Sequence, residues 1–204
     1  LKDPAMPDAT EHKEKMQQRQ TEQRAKVSEL RDPDKGLVLV HTGAGKGKSS
    51  SAFGMVIRAL GWKQKVGVVQ FIKGKWKTGE RQFFDRLGEV TWHTMGEGFT
   101  WDTQDKDRDI AAAQAAFAKG REMMESGDYD LIVLDEINIA MRYDYLSVDD
   151  VIAGLDARDA RTGVVLTGRD AKPGLCDYAD LVSEMVEVKH PFKAGIKAQR
   201  GVDY

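Results

Sequence analysis

The sequence predicts an α/β protein: a mainly parallel sheet of about six strands flanked by helices. Two observations predict it. From Gly36 onward, short apolar runs alternate with stretches of helical pattern. A glycine-rich run, 42–50, stands between an apolar strand and a helix-compatible stretch. Alternating β and α segments imply parallel strands joined by right-handed crossovers.

The strand candidates, in order, are 37–41, 66–72, 90–94, 131–134, 163–167 and 181–188. Four of them are continuous and rich in β-branched residues, as strands covered on both faces should be. The helical stretches are 49–60, 80–87, 104–126, 147–156 and 173–178. Ser147 is a fitting N-cap, with Asp149 and Asp150 in the first turn. Gly127 is a natural stop after the long helix.

Residues 1–35 differ from the rest and form a separate region before the 36–204 domain. After Pro4 and Pro7, the stretch 11–24 is dense in Glu, Lys, Gln and Arg and almost free of apolar residues. A helix is compatible with this composition, but no wide apolar stripe would bury it. A mobile, solvated arm is the favoured expectation over 1–20. Over 21–35, where Val27 and Leu30 offer anchors, an arm that orders over a nucleotide or a second subunit stands level with it.

The 204 residues suit one sizeable core. A net charge of −2 gives no support to general nucleic-acid or membrane-surface binding. No apolar run approaches membrane-spanning length, and no signal-peptide apolar region opens the sequence. Cys176 is the single cysteine, so neither an internal disulfide nor a cysteine zinc cluster can form. It reads as a packing residue rather than a nucleophile. The expectation is a cytoplasmic protein with neither nucleic acid nor membrane as partner.

The run Thr42-Gly43-Ala44-Gly45-Lys46-Gly47-Lys48-Ser49-Ser50 has the make-up of a phosphate-binding loop. Its glycines let successive N–H groups curl toward one concavity. The following helix adds the partial positive charge of its N-terminus. Lys48 brings a full charge to phosphate oxygens, and the Ser49 hydroxyl can ligate Mg²⁺. The fit to G-x-x-x-x-G-K-[ST] is imperfect, because Thr42 holds the first glycine position and Lys46 adds a second cation. A plain Gly-rich turn is the alternative for such a run taken alone. The second element is Leu131-Ile132-Val133-Leu134-Asp135-Glu136, an apolar strand ending in two carboxylates. Strand C-terminal ends face the ligand crevice in open α/β sheets, so a carboxylate there can hold Mg²⁺ opposite Ser49. Side-chain alternation sends Asp135 and Glu136 different ways, so only one sees a metal directly.

The ordered set of motifs resembles the P-loop type of ATP:corrinoid adenosyltransferases. It is carried by the 42–49 loop, Val69-Gln70-Phe71-Ile72-Lys73-Gly74, Gly98-Phe99-Thr100-Trp101-Asp102-Thr103-Gln104, Leu134-Asp135-Glu136, Tyr143-Asp144-Tyr145-Leu146, Thr167-Gly168-Arg169, Val188-Lys189-His190-Pro191-Phe192 and the run from Ala198 to Tyr204. It covers 36–204. Ala44 departs from a common Asn, and Ser49 and Ser50 from the usual threonines; a serine hydroxyl still ligates Mg²⁺. The resemblance implies a P-loop, RecA-like fold. It implies transfer of the 5′-deoxyadenosyl group of ATP to Co(I) of a corrinoid, such as cobalamin or cobyrinic acid a,c-diamide, with release of triphosphate. It also implies ATP held in the reverse sense, so that C5′ faces the attacker. Ser49 and Glu136 would ligate Mg²⁺, with Asp135 behind them. A reduced flavoprotein would supply the electron, and the protein would be a homodimer.

For Phe99 and Trp101 the residues alone favour packing. The resemblance makes them an apolar face under the corrin, excluding the lower axial ligand of Co(II) and easing its reduction. Gln70, Lys73, Arg81 and Arg169 are weaker candidates for ribose, phosphate or corrin amides. His93 and His190 read as structural, since an axial histidine would oppose that reduction. The 189–200 tail, with Lys189, Lys193, Lys197 and Arg200, could wrap back near the site. A glycine loop with an acidic strand also suits a RecA-like ATPase, a small-molecule kinase or a nucleotide-dependent switch. The ATPase and kinase readings leave the Phe99–Trp101 loop and the tail unexplained, and a switch lacks a visible separate effector domain.

Overall fold

The computed structural model describes residues 9–31, 33–72, 78–94 and 105–203. The chain divides into two units, parting between Asp34 and Lys35. In the first unit, α1 (Ala9–Ser28) is a helix, which the composition of the arm allows. Glu, Lys, Gln and Arg are good helix formers, and pairs such as Gln18–Glu22 reinforce the turns. Its described side chains are exposed, as the missing apolar stripe requires.

The second unit carries the sheet. Its strands are β1 (Val38–Thr42), β2 (Val66–Gln70), β3 (Val90–Thr94), β4 (Leu131–Asp135), β5 (Gly163–Thr167) and β6 (Leu181–Glu184). The spatial order is β3-β2-β4-β5-β1-β6, and every pairing is parallel. The expected mainly parallel sheet is thus wholly parallel among the described residues. The helices are α2 (Lys48–Gly61), α3 (Gly79–Leu87), α4 (Lys106–Glu125), α5 (Ile137–Arg142), α6 (Val148–Asp156) and α7 (Pro173–Tyr178). A 3₁₀ turn spans Pro191–Ala194.

Alternation along the strands splits the core into two layers. Val66, Val68, Val133 and Val165 face Ala52, Phe53 and Val56 of α2 and Phe84 of α3. Val69, Ile132, Leu134, Val164 and Leu166 face Ala113, Ala116, Phe117 and Met124 of α4 and Val151 and Leu155 of α6. Ser147 caps α6, accepting from the Asp150 N–H at 3.0 Å, as its sequence position indicates. Gly127 follows α4 with φ 71°, the left-handed geometry of a stop signal.

β2 ends at Gln70 rather than 72, the 3₁₀ turn was not expected, and two further elements differ more. α5 was not foreseen: six residues are too few to show a helical period, and buried Asn138 breaks the apolar pattern. β6 ends at Glu184 rather than 188. Among the described residues its one sheet partner is β1, whose last pair is Thr42↔Glu184, and no further strand lies beyond it to pair with.

Candidate functional site

In a parallel sheet all strand C-termini lie at one edge, and loops leaving them converge. The order places β5 between β1, which feeds the glycine loop, and β4, which carries the acids. In register, Gln70 stands beside Asp135 and His41 beside Thr167. Gln70 Nε2 donates to Asp135 Oδ2 at 3.0 Å, and Thr167 Oγ1 donates to Asp135 Oδ1 at 2.9 Å. Both carboxylate oxygens of this buried aspartate therefore already accept a hydrogen bond. The Thr167 hydroxyl also accepts from the Glu136 N–H at 2.9 Å.

Glu136 breaks the strand with φ 64°, a left-handed geometry uncommon for a residue with a side chain. That turn starts α5 and separates the two carboxylates. Glu136 Oε2 lies over Gly168, where a Cβ would stand 3.3 Å from it and 2.8 Å from the Asn138 Cβ. Gly168, with φ 130°, accommodates this approach.

The loop is fastened from the opposite side. The Met185 N–H donates to Thr42 O at 2.9 Å, and the Gly45 N–H donates to Met185 O at 2.7 Å. The glycines were expected to let successive N–H groups point into one concavity; that of Gly45 is engaged with the chain after β6. Thr42 Oγ1 accepts from the Ala171 N–H at 3.0 Å. Gly47, with φ 110°, is the N-cap of α2 and has open space where a Cβ would be. Lys48 is buried, and its Nζ donates to Gly45 O at 2.5 Å.

These parts surround a cleft of about 1070 Å³. Gly45, Lys46, Gly47, Lys48, Ser49, Ser50, Gln70, Arg81, Asp135, Glu136 and Arg169 all line it. Thr42, Gly43 and Ala44, read from the sequence as nucleotide contacts, are not among the lining residues. Thr42 and Gly43 instead hold the loop to its neighbours, and Ala44 is exposed. Arg81 is engaged: its Nε donates to Asp85 at 2.9 Å, and its guanidinium lies 5.0 Å from the Trp92 ring centre. Phe99, Trp101 and Lys73 lie outside the described residues.

Charge in the cleft is balanced between cations and acids. Burial lowers the Lys48 ammonium from its ordinary value, and Glu136 is the largest opposing influence. Burial first, and Asp135 second, push the Glu136 carboxyl up to about 7, while Lys48 and Arg169 pull it down. The folded state holds this proton more tightly than the unfolded chain does. Stability of the metal-free protein therefore falls as pH rises from the unfolded value of 4.5 toward the folded value of about 7. Glu136→Gln is expected to flatten that fall. Urea unfolding between about pH 5 and about pH 7 measures it, and equal slopes in the two proteins would contradict the assignment.

Several residues that shape the site drew no separate notice in the sequence. Thr167 appeared only within a motif, yet it joins both acids. Asn138 is fully buried; its Nδ2 donates to Gly168 O at 3.0 Å while its Oδ1 has no partner. An Asn two residues past the acid pair, in an otherwise apolar stretch, was the available signal. His190 acts structurally, its Nδ1 accepting from the Phe192 N–H at 3.1 Å. Burial raises the Cys176 thiol, in keeping with a packing role.

A glycine loop after β1, the acid pair after β4 and a strand between them define a P-loop nucleotide-binding fold. Residues 34–204 match the family described as ATP:corrinoid adenosyltransferase BtuR/CobO/CobP, and the chain belongs to that family. It is 55% identical to the corrinoid adenosyltransferase of Pseudomonas aeruginosa over 194 residues, 95% of each chain. It is 44% identical over 195 residues to the corrinoid adenosyltransferase CobA of Salmonella typhimurium, covering 94% of this chain and 98% of that one. Among solved structures, the flagellar accessory protein FlaH of Methanocaldococcus jannaschii matches with a TM-score of 0.48 at 12% identity, over 73% of this chain and 70% of that chain. The chain is thus a corrinoid adenosyltransferase by family. No helix among the described residues is long and apolar enough to cross a membrane.

Proposed function

We propose that this cleft grips the triphosphate of ATP as a leaving group while corrinoid Co(I) takes the adenosyl carbon. The observation that carries the reading is one cleft lined by a buried lysine, the N-terminus of a 14-residue helix and an acidic strand end. Co(I) attacks C5′ with its own electron pair, forming the cobalt–carbon bond. The C5′–O bond breaks, and its electron pair leaves on the triphosphate oxygen. Co(I) is itself a strong nucleophile, so no proton transfer is needed, and the protein contributes placement and charge neutralisation. Lys48 and the N–H groups opening α2 stabilise the charge that grows on the triphosphate. With the nucleotide in the reverse sense, C5′ faces the corrin.

The donor set suits Mg²⁺. The Ser49 hydroxyl and the Glu136 carboxylate are hard oxygen donors on one cleft, and Asp135, hydrogen-bonded through both oxygens, stands behind. No group of three or more His, Cys, Asp or Glu able to hold a metal occurs among the described residues. Mg²⁺ is commonly held by one or two protein groups, with phosphates and water completing its shell. When bound, Mg²⁺ supplies further neutralisation of the triphosphate. Of the weaker candidates, Arg169 is exposed at the cleft and suits phosphate or a corrin amide. Gln70 serves by orienting Asp135. Lys73 keeps the sequence role of a phosphate or amide contact.

Phe99 and Trp101 form the apolar face that excludes the lower cobalt ligand. An external reductant, a reduced flavoprotein, delivers the electron to Co(II). The 36–204 domain carries the chemistry, 1–35 is an accessory arm, and the protein works as a cytoplasmic homodimer. Trp101→Ala tests the aromatic face. Its rate is expected to fall at least tenfold more when the reaction starts from Co(II) than from pre-reduced Co(I), a difference of about 1.4 kcal/mol or more in the barrier. The corrinoid absorption spectrum follows both, and equal losses would remove the axial-ligand role.

A further inference from the structure

We propose that Asp203 competes with the nucleotide's phosphates for the Lys46 ammonium, so that polyphosphate binding lifts the 199–203 turn off the glycine loop. The inference rests on the polyphosphate reading of the cleft and adds a determinant of its affinity.

Lys46, inside the loop, pairs with Asp203 Oδ1, and both residues line the cleft. Asp203 Oδ2 accepts from the Gln199 N–H at 2.8 Å. The backbone N–H groups of Val202 and Asp203 return to Gln199 O at 3.1 and 2.8 Å. The turn is therefore closed on itself and presents one carboxylate oxygen to the loop. The Gln199 N–H and then Lys46 hold that carboxyl below the usual range, so it is anionic at neutral pH.

Three donors of the loop that suit phosphate oxygens meet protein acceptors instead. Lys48 Nζ donates to Gly45 O, the Gly45 N–H to Met185 O, and Lys46 Nζ to Asp203. Two of these acceptors belong to the single segment that follows β6. The buried Gly45 N–H needs a partner, and this segment supplies it. The two contacts differ in strength of attachment. Met185 is wedged against the loop backbone, where Cβ atoms at Gly43 and Gly45 would stand 2.5 and 2.8 Å from its carbonyl oxygen. Asp203, whose side chain is 11% exposed, reaches the loop through the half-exposed Lys46 side chain, and among the described residues no backbone hydrogen bond joins its turn to the loop. A polyphosphate offers more charge and more acceptor oxygens than one carboxylate, and it repels that carboxylate. Lys46 therefore transfers to the phosphate, and the turn moves away while Met185 stays.

The test is calorimetric binding of inorganic tripolyphosphate with Mg²⁺ to the full chain. Asp203→Asn and Asp203→Ser both drop the charge and keep an oxygen for the Gln199 N–H. Each is expected to bind tripolyphosphate three- to tenfold more tightly than the parent. In a Lys46→Ala background the same changes are expected to give less than a twofold gain. Unchanged or weaker binding in both variants would overturn the competition. So would an equal gain with and without Lys46, which would reduce Asp203 to a distant repulsive charge. Absence of tripolyphosphate binding by the parent protein would sink the polyphosphate reading itself, a failure distinguishable from the other two.

Discussion

Lys48→Ala is expected to abolish turnover, with the loss appearing first in nucleotide binding. Lys48 is 7% exposed and shares its surroundings with Glu136. Removing its ammonium withdraws one of the charges that pull the Glu136 carboxyl down and takes the donor from Gly45 O. In the proposed reading the same ammonium meets phosphate oxygens, where charge-assisted hydrogen bonds are the strong ones. Affinity for Mg-ATP should therefore fall by roughly 10²- to 10³-fold or more. Calorimetry on the variant measures this directly, and thermal unfolding alongside it separates lost binding from lost folding. Unimpaired affinity would contradict the assignment of the loop.

The second large effect concerns the fold beneath the loop. Gly43→Ala places a side chain at φ 99°, where only glycine is at ease. Its Cβ would stand 2.5 Å from Met185 O and 2.8 Å from Met185 N, both backbone atoms that cannot rotate aside. Strain of this kind costs about 1–3 kcal/mol, and overpacking adds about 1–3 more. A loss of about 3 kcal/mol or more in urea unfolding is expected, together with weaker nucleotide binding as the loop leaves Met185. Gly47→Ala is the comparison. Its φ is 110°, but nothing lies within 4 Å of its Cβ, so only the strain applies. Equal stability losses in the two variants would show that the Met185 contact contributes nothing.

Four of the strands were legible because they are short, continuous and β-branched, and the longer helices between the strands kept their period. The glycine loop and the acid pair were legible for another reason: each sits at a strand end within one local segment. What escaped depends on strand order. The Gln70–Asp135–Thr167 chain exists because β4 pairs with β2 on one side and β5 on the other. No local pattern states that order. The roles of Gly43 and Gly45 were half legible. Their spacing signalled a tight loop, but the backbone they make room for, at Met185, is far away in sequence. Asp203 escaped for the same reason, being one acid in a polar tail until the fold returns it to Lys46. α5 was invisible because a turn at Glu136, rather than a periodic face, creates it.

The central claim is that the cleft holds triphosphate as an intact leaving group. Incubation with Mg-ATP and chemically reduced corrinoid, followed by analysis of the phosphates and the corrinoid spectrum, tests it most directly. The account predicts inorganic triphosphate and a light-sensitive alkyl-cobalt species in equal amounts, with no triphosphate formed when corrinoid is omitted. ADP and phosphate released at the same rate with or without corrinoid would contradict it and make the loop a site of phosphoryl transfer.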